Sequence, residues 1–383
     1  MNRTEERVGN VSAPLFDSVL VYQLGLPHYR QAMLDILASS SPNIRFFVGD
    51  KHFMDFVTTG VAGSNVISSG SNVFMLGRRF AWQRIDIRAA TKARLVVLEL
   101  NPRILSTWVV LITRRILNRP TIAWGQVFGR QGSRSKTERL RRFMRQLFDG
   151  LIAYTESERS SFHELHPDKE CWVAANAIYR RDEMVTTSDG PIRNDFTYIG
   201  RLVAEKRPHL ALEAFRILAN LHPEARLTYI GEGPERERLE ADVARMRLGE
   251  KVRVLGHVSD WATLRGEFAK TVATVCPGYA GLNITQSLGF GVPVIYAGGE
   301  PNAPEIEALN EGNSIEFVAQ DAESLAEAMA SSWSAKDAWA SEASEISAQT
   351  RSRYSAEAMA TAFEAASRFE GGRSSTRRSA LDS

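Results

Sequence analysis

Residues 196–233 read FTYIGRLVAEKRPHLALEAFRILANLHPEARLTYIGEG, and the fold is decided by this stretch. An aromatic and β-branched run, Phe196 to Gly200, passes through a polar loop into a helix that opens at Pro208, where a missing N–H costs nothing. That helix turns Leu210, Ala214, Phe215 and Leu218 to one side, and a second run, Arg226 to Gly231, then ends in Gly231-Glu232-Gly233-Pro234. Strand, crossover helix and strand in this order mark a parallel sheet. The pattern continues downstream. Strand Val252 to Gly256 precedes Asp260, a candidate N-cap; strand Thr271 to Pro277 leads to a short helix near Asn283 to Phe290; strand Pro293 to Ala297 precedes a helix opened by Pro304. Helical stretches Asp321 to Ser331 and Ser355 to Phe369 follow.

The upstream half has the same alternation. Ser18 to Gln23, Ile44 to Gly49, Arg94 to Leu100, Thr121 to Gly125, Leu151 to Thr155 and Trp172 to Asn176 are short and apolar on both faces, as buried parallel strands are. The chain of 383 residues therefore divides into two doubly wound α/β domains with a cleft between them. The expected boundaries are a disordered leader at 1–15, a first Rossmann-like domain at 16–185, a Gly- and Pro-containing linker at 186–194, a second domain at 195–353, a final helix at 354–370 and a disordered tail at 371–383.

Bulk composition excludes several classes. Hydrophobic residues at 44% and charged residues at 24% describe an ordinary globular chain. Lys and Arg number 47 against 45 for Asp and Glu, far from the excess of a nucleic-acid-coating protein, so no nucleic-acid partner is expected. Cys171 and Cys276 are too widely separated for a zinc site or a disulfide framework, which points to a reducing, cytoplasmic setting. Met1 to Pro14 is polar and lacks the form of a secretory signal. The most apolar stretch, Ile104 to Ile112, is too short to span a bilayer and is closed by Arg114 and Arg115.

Ligands in open α/β sheets gather at the carboxyl ends of strands, which directs attention to three loops. Gly200 to Lys206 places Arg201 and Lys206 just after a strand; a guanidinium and an ammonium together suit a diphosphate, although a solvated loop has the same composition. Pro277-Gly278-Tyr279-Ala280-Gly281-Leu282-Asn283 runs from a buried strand into a helix, so bare amides and the helix dipole can approach an anion. Glycine before a helix is also a routine turn device. Gly256 to Ser259 carries His257 and Val258, whose backbone can meet a nucleobase, although an ordinary loop histidine at position 257 fits equally well.

Taken in order, YIGRLVAEKRPHLALEAF, YIGEGPERERLE, VRVLGHVSDWATL and PGYAGLNITQSLGFGVPVI resemble the C-terminal domain of glycosyltransferase family 4, the retaining GT-B enzymes also grouped as glycosyl transferases group 1. The resemblance is strong from Asp195 to about Phe317 and weak upstream, at WVAANAIY and LIAYTESERS. It implies GT-B architecture, with the donor nucleotide mainly on the second domain and the final helix crossing back to the first. It also implies that Arg201 and Lys206 hold the donor diphosphate and neutralise charge on the departing nucleotide. Gly200, Gly231, His257, Val258, Pro277, Gly278, Gly281, Leu282, Asn283 and Gln286 would surround the nucleotide. The donor would be a nucleotide sugar, UDP- or GDP-linked, and with no Asp-x-Asp triplet in the chain neither metal nor other cofactor is expected.

The chain departs from the family at three positions. Two glutamates with seven residues between them are common around the small-residue turn, and here those positions hold Gly278 and Gln286. A PG-x-x-GL version of the motif resembles a branch of polysaccharide-building members. Where many relatives place a histidine after a Trp-Gly strand end, this chain has Gln126, which cannot act as a general base. The loop from Leu24 to Arg30 is similar to Pro-His-Tyr-Arg turns of the branch and offers Leu26, Pro27, His28 and Arg30, with Gln126, to an acceptor; His28 capping a helix is the alternative.

The basic run Arg130, Arg134, Lys136, Arg139, Arg141, Arg142 and Arg145 has Glu138 as its only acid, which suits either a solvated helix or peripheral contact with an anionic inner membrane face. The expected activity is retaining transfer of a sugar to a saccharide or lipid-linked acceptor in envelope or exopolysaccharide synthesis. The alternatives are a non-catalytic nucleotide-sugar-binding scaffold and a sugar-nucleotide epimerase of the same fold.

Overall fold

The computed structural model describes residues 17–53, 58–129, 132, 136–186 and 192–371. The expected leader lies outside these residues, as do most of the expected linker, Arg130, Arg134 and all but one residue of the expected tail.

The first domain contains β1 (Val19–Gln23), α1 (Gln31–Ser40), β2 (Ile44–Gly49), β3 (Val66–Gly70), a β4–β5 hairpin (Val73–Met75, Phe80–Trp82), α2 (Ile87–Lys92), β6 (Leu95–Glu99), α3 (Leu105–Ile116), β7 (Thr121–Trp124), α4 (Glu138–Leu147), β8 (Gly150–Ala153), α5 (Glu156–Leu165) and β9 (Glu170–Val173). The second contains β10 (Asp195–Ile199), α6 (Pro208–Leu221), β11 (Arg226–Ile230), α7 (Arg236–Arg245), β12 (Val252–Val254), α8 (Trp261–Ala269), β13 (Thr271–Cys276), α9 (Leu282–Gly289), β14 (Val294–Ala297), β15 (Ser314–Phe317) and α10 (Ala322–Ser334). Two further helices, α11 (Lys336–Tyr354) and α12 (Ala356–Ser367), end the described chain.

All inter-strand pairings within the two large sheets are parallel. Their orders are β3-β2-β1-β6-β7-β8-β9 and β12-β11-β10-β13-β14-β15. Each order reverses once, between β1 and β6 and between β10 and β13, and at such a reversal two neighbouring loops leave the sheet on opposite sides and open a crevice. The central strands β1, β10 and β13 are buried along their whole length because helices cover both faces.

Local chemistry sets the helix starts. Pro208 is the first residue of α6. Asp260 accepts the Thr263 amide at 2.8 Å at the start of α8, and Asp321 and Ser355 cap α10 and α12 in the same way.

The final helix leaves the second domain and returns to the first, where Met359, Ala360, Phe363 and Ala366 complete the core beneath β1, β2 and β7. The Phe363 ring meets Trp124 edge-on at 4.6 Å. Strands β3, β4, β5 and β15 and helix α11 are absent from the sequence reading. Edge strand β3 and the β4–β5 hairpin are half exposed and carry no apolar alternation, and short β15 has only Phe317 fully buried. In α11 the sequence KDAWASEASEISAQTRSRY has no continuous apolar stripe, and the buried side is largely Ala, Ser and Thr.

Phe363→Ala removes a ring that is 2% exposed and joins the last helix to the first sheet. It is expected to cost about 3–5 kcal/mol in urea unfolding; a loss below about 1 kcal/mol would show that the returning helix contributes little to the first domain's core.

Candidate functional site

The loops that follow β10, β11 and β13 interlock at the second sheet's reversal. Leu202 N–H donates to Glu232 O at 2.8 Å, and Glu235 N–H returns to Leu202 O at 3.0 Å. At Gly231 a Cβ would lie 1.9 Å from the Gly200 carbonyl oxygen, so only glycine permits this approach. Gly231 N–H donates to Gly256 O at 2.7 Å, which brings in the third loop, where His257 is exposed and Val258 packs against the Tyr179 and Phe290 cluster.

Lys206 curls back across Gly200, with Nζ 3.5 Å from the position of a Cβ there, and donates to Tyr279 O at 3.0 Å. Burial holds its ammonium below the usual lysine range and the Arg201 charge pushes the same way, against Glu305 and Glu205. Arg201 is exposed at the start of the same loop. Arg207, overlooked in the sequence, has φ +48° at the start of α6 and pairs with Glu300 at 2.6 Å.

The loop from Pro277 to Gly281 is stitched to this one. Tyr279 N–H donates to Glu205 O at 3.1 Å. A Cβ on Gly278 would lie 2.4 Å from Glu205 O and 3.0 Å from Lys206 Cα, so this backbone has no room for a side chain at that position. Gly281 caps α9, its own N–H held by Asn283 Oδ1 at 2.8 Å, while Asn283 Nδ2 donates to Cys276 Sγ at 3.0 Å. Leu282 and Asn283 then contribute the first helical amides, which no carbonyl within the helix can reach. Gln286 Nε2 donates to the Tyr179 hydroxyl at 2.7 Å, so its amide group is already engaged beside the cleft.

In the first domain the expected acceptor residues separate. Leu26 is 2% exposed and belongs to the core, its amide held by Thr59 Oγ1 at 3.1 Å; an apolar side chain at this depth contributes packing rather than a cleft surface. Pro27 precedes the 3-10 turn His28–Arg30, in which His28 is exposed and makes no capping bond. Arg30 is 4% exposed, so it does not present its charge to an acceptor as the sequence reading expects. Its guanidinium lies 5.1 to 5.8 Å from the Tyr29, Trp124 and Tyr154 ring centres and bonds to Asn176 Oδ1 and Met359 Sδ. Gln126 is half-buried, and its carbonyl accepts from Arg141 at 3.2 Å. Beneath it the Glu158 carboxylate accepts from Val127 and Tyr154 amides, and burial pushes its pKa up to about 7.

Two carboxylates missed in the sequence join the domains. Glu305 is 2% exposed and accepts from Asn176 Nδ2 at 2.5 Å; burial raises its pKa although Asn176, its own amide, Arg30 and Lys206 all favour the charged form. Glu307 accepts from the Glu156 and Ser157 amides at 2.9 and 3.1 Å, at the start of α5. Burial works against its charge, but these bonds and the Ser157 hydroxyl hold its carboxyl below the usual range.

The basic run is less uniform than its sequence. Arg145 is 1% exposed and paired with Glu138 at 2.6 Å, and Arg141 is half-buried on the Leu100 carbonyl. Lys136, Arg139 and Arg142 remain exposed. They adjoin exposed Leu140 and Phe143 on α4, and a Trp108–Phe143 ring contact of 6.1 Å joins these to exposed Val109, Ile112 and Ile116 on α3. Among the described residues no helix is long and apolar enough to cross a membrane.

Residues 190–351, which carry these interlocked loops, match the family model described as glycosyl transferases group 1. The second domain belongs to that family. Over 101 residues the chain is 33% identical to a GDP-mannose-dependent alpha-(1-6)-phosphatidylinositol dimannoside mannosyltransferase of Mycobacterium tuberculosis, a match that spans 26% of this chain and 26% of the relative. Around the group 1 domain the whole fold is that of GT-B glycosyltransferases. HepE of Anabaena, solved in complex with UDP, aligns with a TM-score of 0.65 at 15% identity over 91% of this chain and 98% of its own. The pneumococcal O-GlcNAc transferase GtfA, in complex with UDP and GlcNAc, aligns at 0.63 and 11% identity, covering 91% and 98%.

Gly278→Glu drives a side chain into the Glu205 carbonyl. It is expected to destabilise the protein by at least about 1–3 kcal/mol in thermal or urea unfolding, with Gly278→Ala showing the same sign; unchanged stability in both would show that the two loops are not locked together.

Proposed function

We propose that the chain is a retaining glycosyltransferase whose second domain holds a nucleotide sugar, UDP- or GDP-linked, while the first holds a saccharide or lipid-linked acceptor. The observation that supports this reading is Lys206, bonded to the Tyr279 carbonyl between the loop that leaves β10 and the loop that opens α9, with Arg201 exposed at the start of the first loop. Cations and helix-terminal amides on neighbouring loops suit a pyrophosphate, whose charge grows as the sugar departs.

In the reaction the bond from the sugar's anomeric carbon to the β-phosphate oxygen breaks, and the acceptor oxygen bonds to the same face of that carbon. The acceptor's proton passes to the departing phosphate oxygen. Arg201 and Lys206 stabilise the nucleoside diphosphate as it leaves, and no side-chain base at position 126 is needed. The backbone at His257 and Val258 meets the base. No metal takes part in this scheme; the cations serve as counter-charge.

The double variant Arg201→Ala/Lys206→Ala tests the assignment. In a thermal-shift series against UDP, GDP and ADP, the wild type is expected to be stabilised by one of them through mass action. The double variant should lose that shift, and transfer from the matching nucleotide sugar should fall by about 100-fold or more. Full retention of both would remove the diphosphate from this loop.

The exposed apolar and basic face of α3 and α4 supports peripheral contact with an anionic inner leaflet, which places the first domain near a lipid-linked acceptor. Ile112→Glu/Phe143→Glu should abolish co-sedimentation with vesicles containing phosphatidylglycerol and leave the melting temperature near that of the wild type. Wild-type protein that ignores such vesicles would contradict membrane contact.

A further inference from the structure

The 3-10 turn Pro304–Ala308, between β14 and β15, does more than connect two strands. Its first carboxylate, Glu305, reaches back under the turn that caps α9: Oε2 lies 3.6 Å from where a Cβ on Gly281 would be, and the Ala303 methyl lies 3.1 Å from the same point. Ala303 N–H donates to Ala280 O at 2.9 Å, and Ala280 N–H donates to Asn302 Oδ1 at 2.9 Å, so this segment and the Ala280–Gly281 backbone move as one piece.

The other face of Glu305 leaves the second domain. Asn176, in the segment that follows β9, donates to it through Nδ2 and accepts from Arg30 through Oδ1. A primary amide can do both at once, whereas a carboxylate or an ammonium at that position can do only one. Arg30 in turn is fixed by aromatic rings of the first domain and by Met359 of α12. Opening this chain anywhere leaves a buried charge without its partner, which is far costlier than never burying it.

Resting on the reading of Pro277–Asn283 as the donor's phosphate seat, we propose that Glu305 is a positioning residue for that seat. Asn176 and Arg30 make its position depend on the first domain. With Gly278 and Gln286 in place of the carboxylates that the resemblance leads one to expect, Glu305 sets a carboxylate against the same turn. The amides of Leu282 and Asn283 then reach their phosphate-binding position only when Arg30, Asn176 and Glu305 are in register, which ties donor binding to the approach of the acceptor domain.

The test uses the full chain and reads two quantities: amide hydrogen exchange across residues 279–284, and the dissociation constants of UDP and GDP by calorimetry. Asn176→Ala contacts neither loop that holds the diphosphate, yet it is expected to speed exchange about tenfold at Ala280, Gly281 and Ile284, the amides hydrogen-bonded in this turn, and to weaken the tighter nucleotide by about tenfold. Glu305→Gln, which keeps the shape and removes the charge, should do the same, and the double variant should be little worse than either single one. Two residues with separate packing roles would instead add. Unchanged exchange at Ala280, Gly281 and Ile284 in Asn176→Ala, or additive effects in the double variant, overturns the proposal. Should wild-type protein bind neither UDP nor GDP, the donor-seat reading fails, and the exchange arm still decides whether Asn176 and Glu305 control the turn. Asn176→Ser, which keeps a polar group too short to bridge, is read in the same way if Asn176→Ala does not melt cooperatively.

Discussion

Everything in the second domain's site depends on one close approach, that of the Gly278 backbone to the Glu205 carbonyl. It forces the loops leaving β10 and β13 to lie against each other, and the Tyr279 amide and the Lys206 ammonium each seal it with a hydrogen bond. A lysine held this way has little freedom left to lose on meeting a ligand, and its partly buried charge is poorly solvated. Both effects favour an anion that arrives between Lys206 and the helix. This geometry leaves no volume for a side chain at position 278.

Polar contacts and apolar packing both join the two domains, the latter including the cluster of Tyr179 and Met184 with Phe268 and Phe290. Phe363 and its neighbours carry the last helix into the first domain's core, and that contribution is hydrophobic and undirected. Glu305 and Glu307, by contrast, act through geometry. One accepts from the Asn176 amide and the other from the first amides of α5, so both specify how the domains meet. Directional bonds between rigid bodies are well suited to a cleft that opens and closes, because they can break in one step and re-form in register.

Much of this was legible in the sequence because it is local. Pro208, Asp260, Asp321 and the glycines that end β10 and β11 act within a few residues of themselves, and the alternation of apolar runs gave both parallel sheets. Contacts distant in sequence were not legible. Arg30 looked like a free cation beside a cleft, since Trp124, Tyr154 and Met359, which enclose it, come from three remote segments. Asn176 and Glu305 are 129 residues apart and neither stands in a pattern that singles it out. Arg145 read as part of a one-signed surface, yet it turns inward to Glu138, seven positions earlier in the same helix. The long helix α11 escaped because small residues, not an apolar stripe, form its buried side.

The most direct measurement is a crystal structure of the full chain with a bound nucleoside diphosphate. A β-phosphate oxygen within about 3 Å of Lys206 Nζ and of an amide from Leu282 or Asn283 is the predicted result. A nucleotide bound elsewhere, with Lys206 still directed only at the Tyr279 carbonyl, would contradict the account.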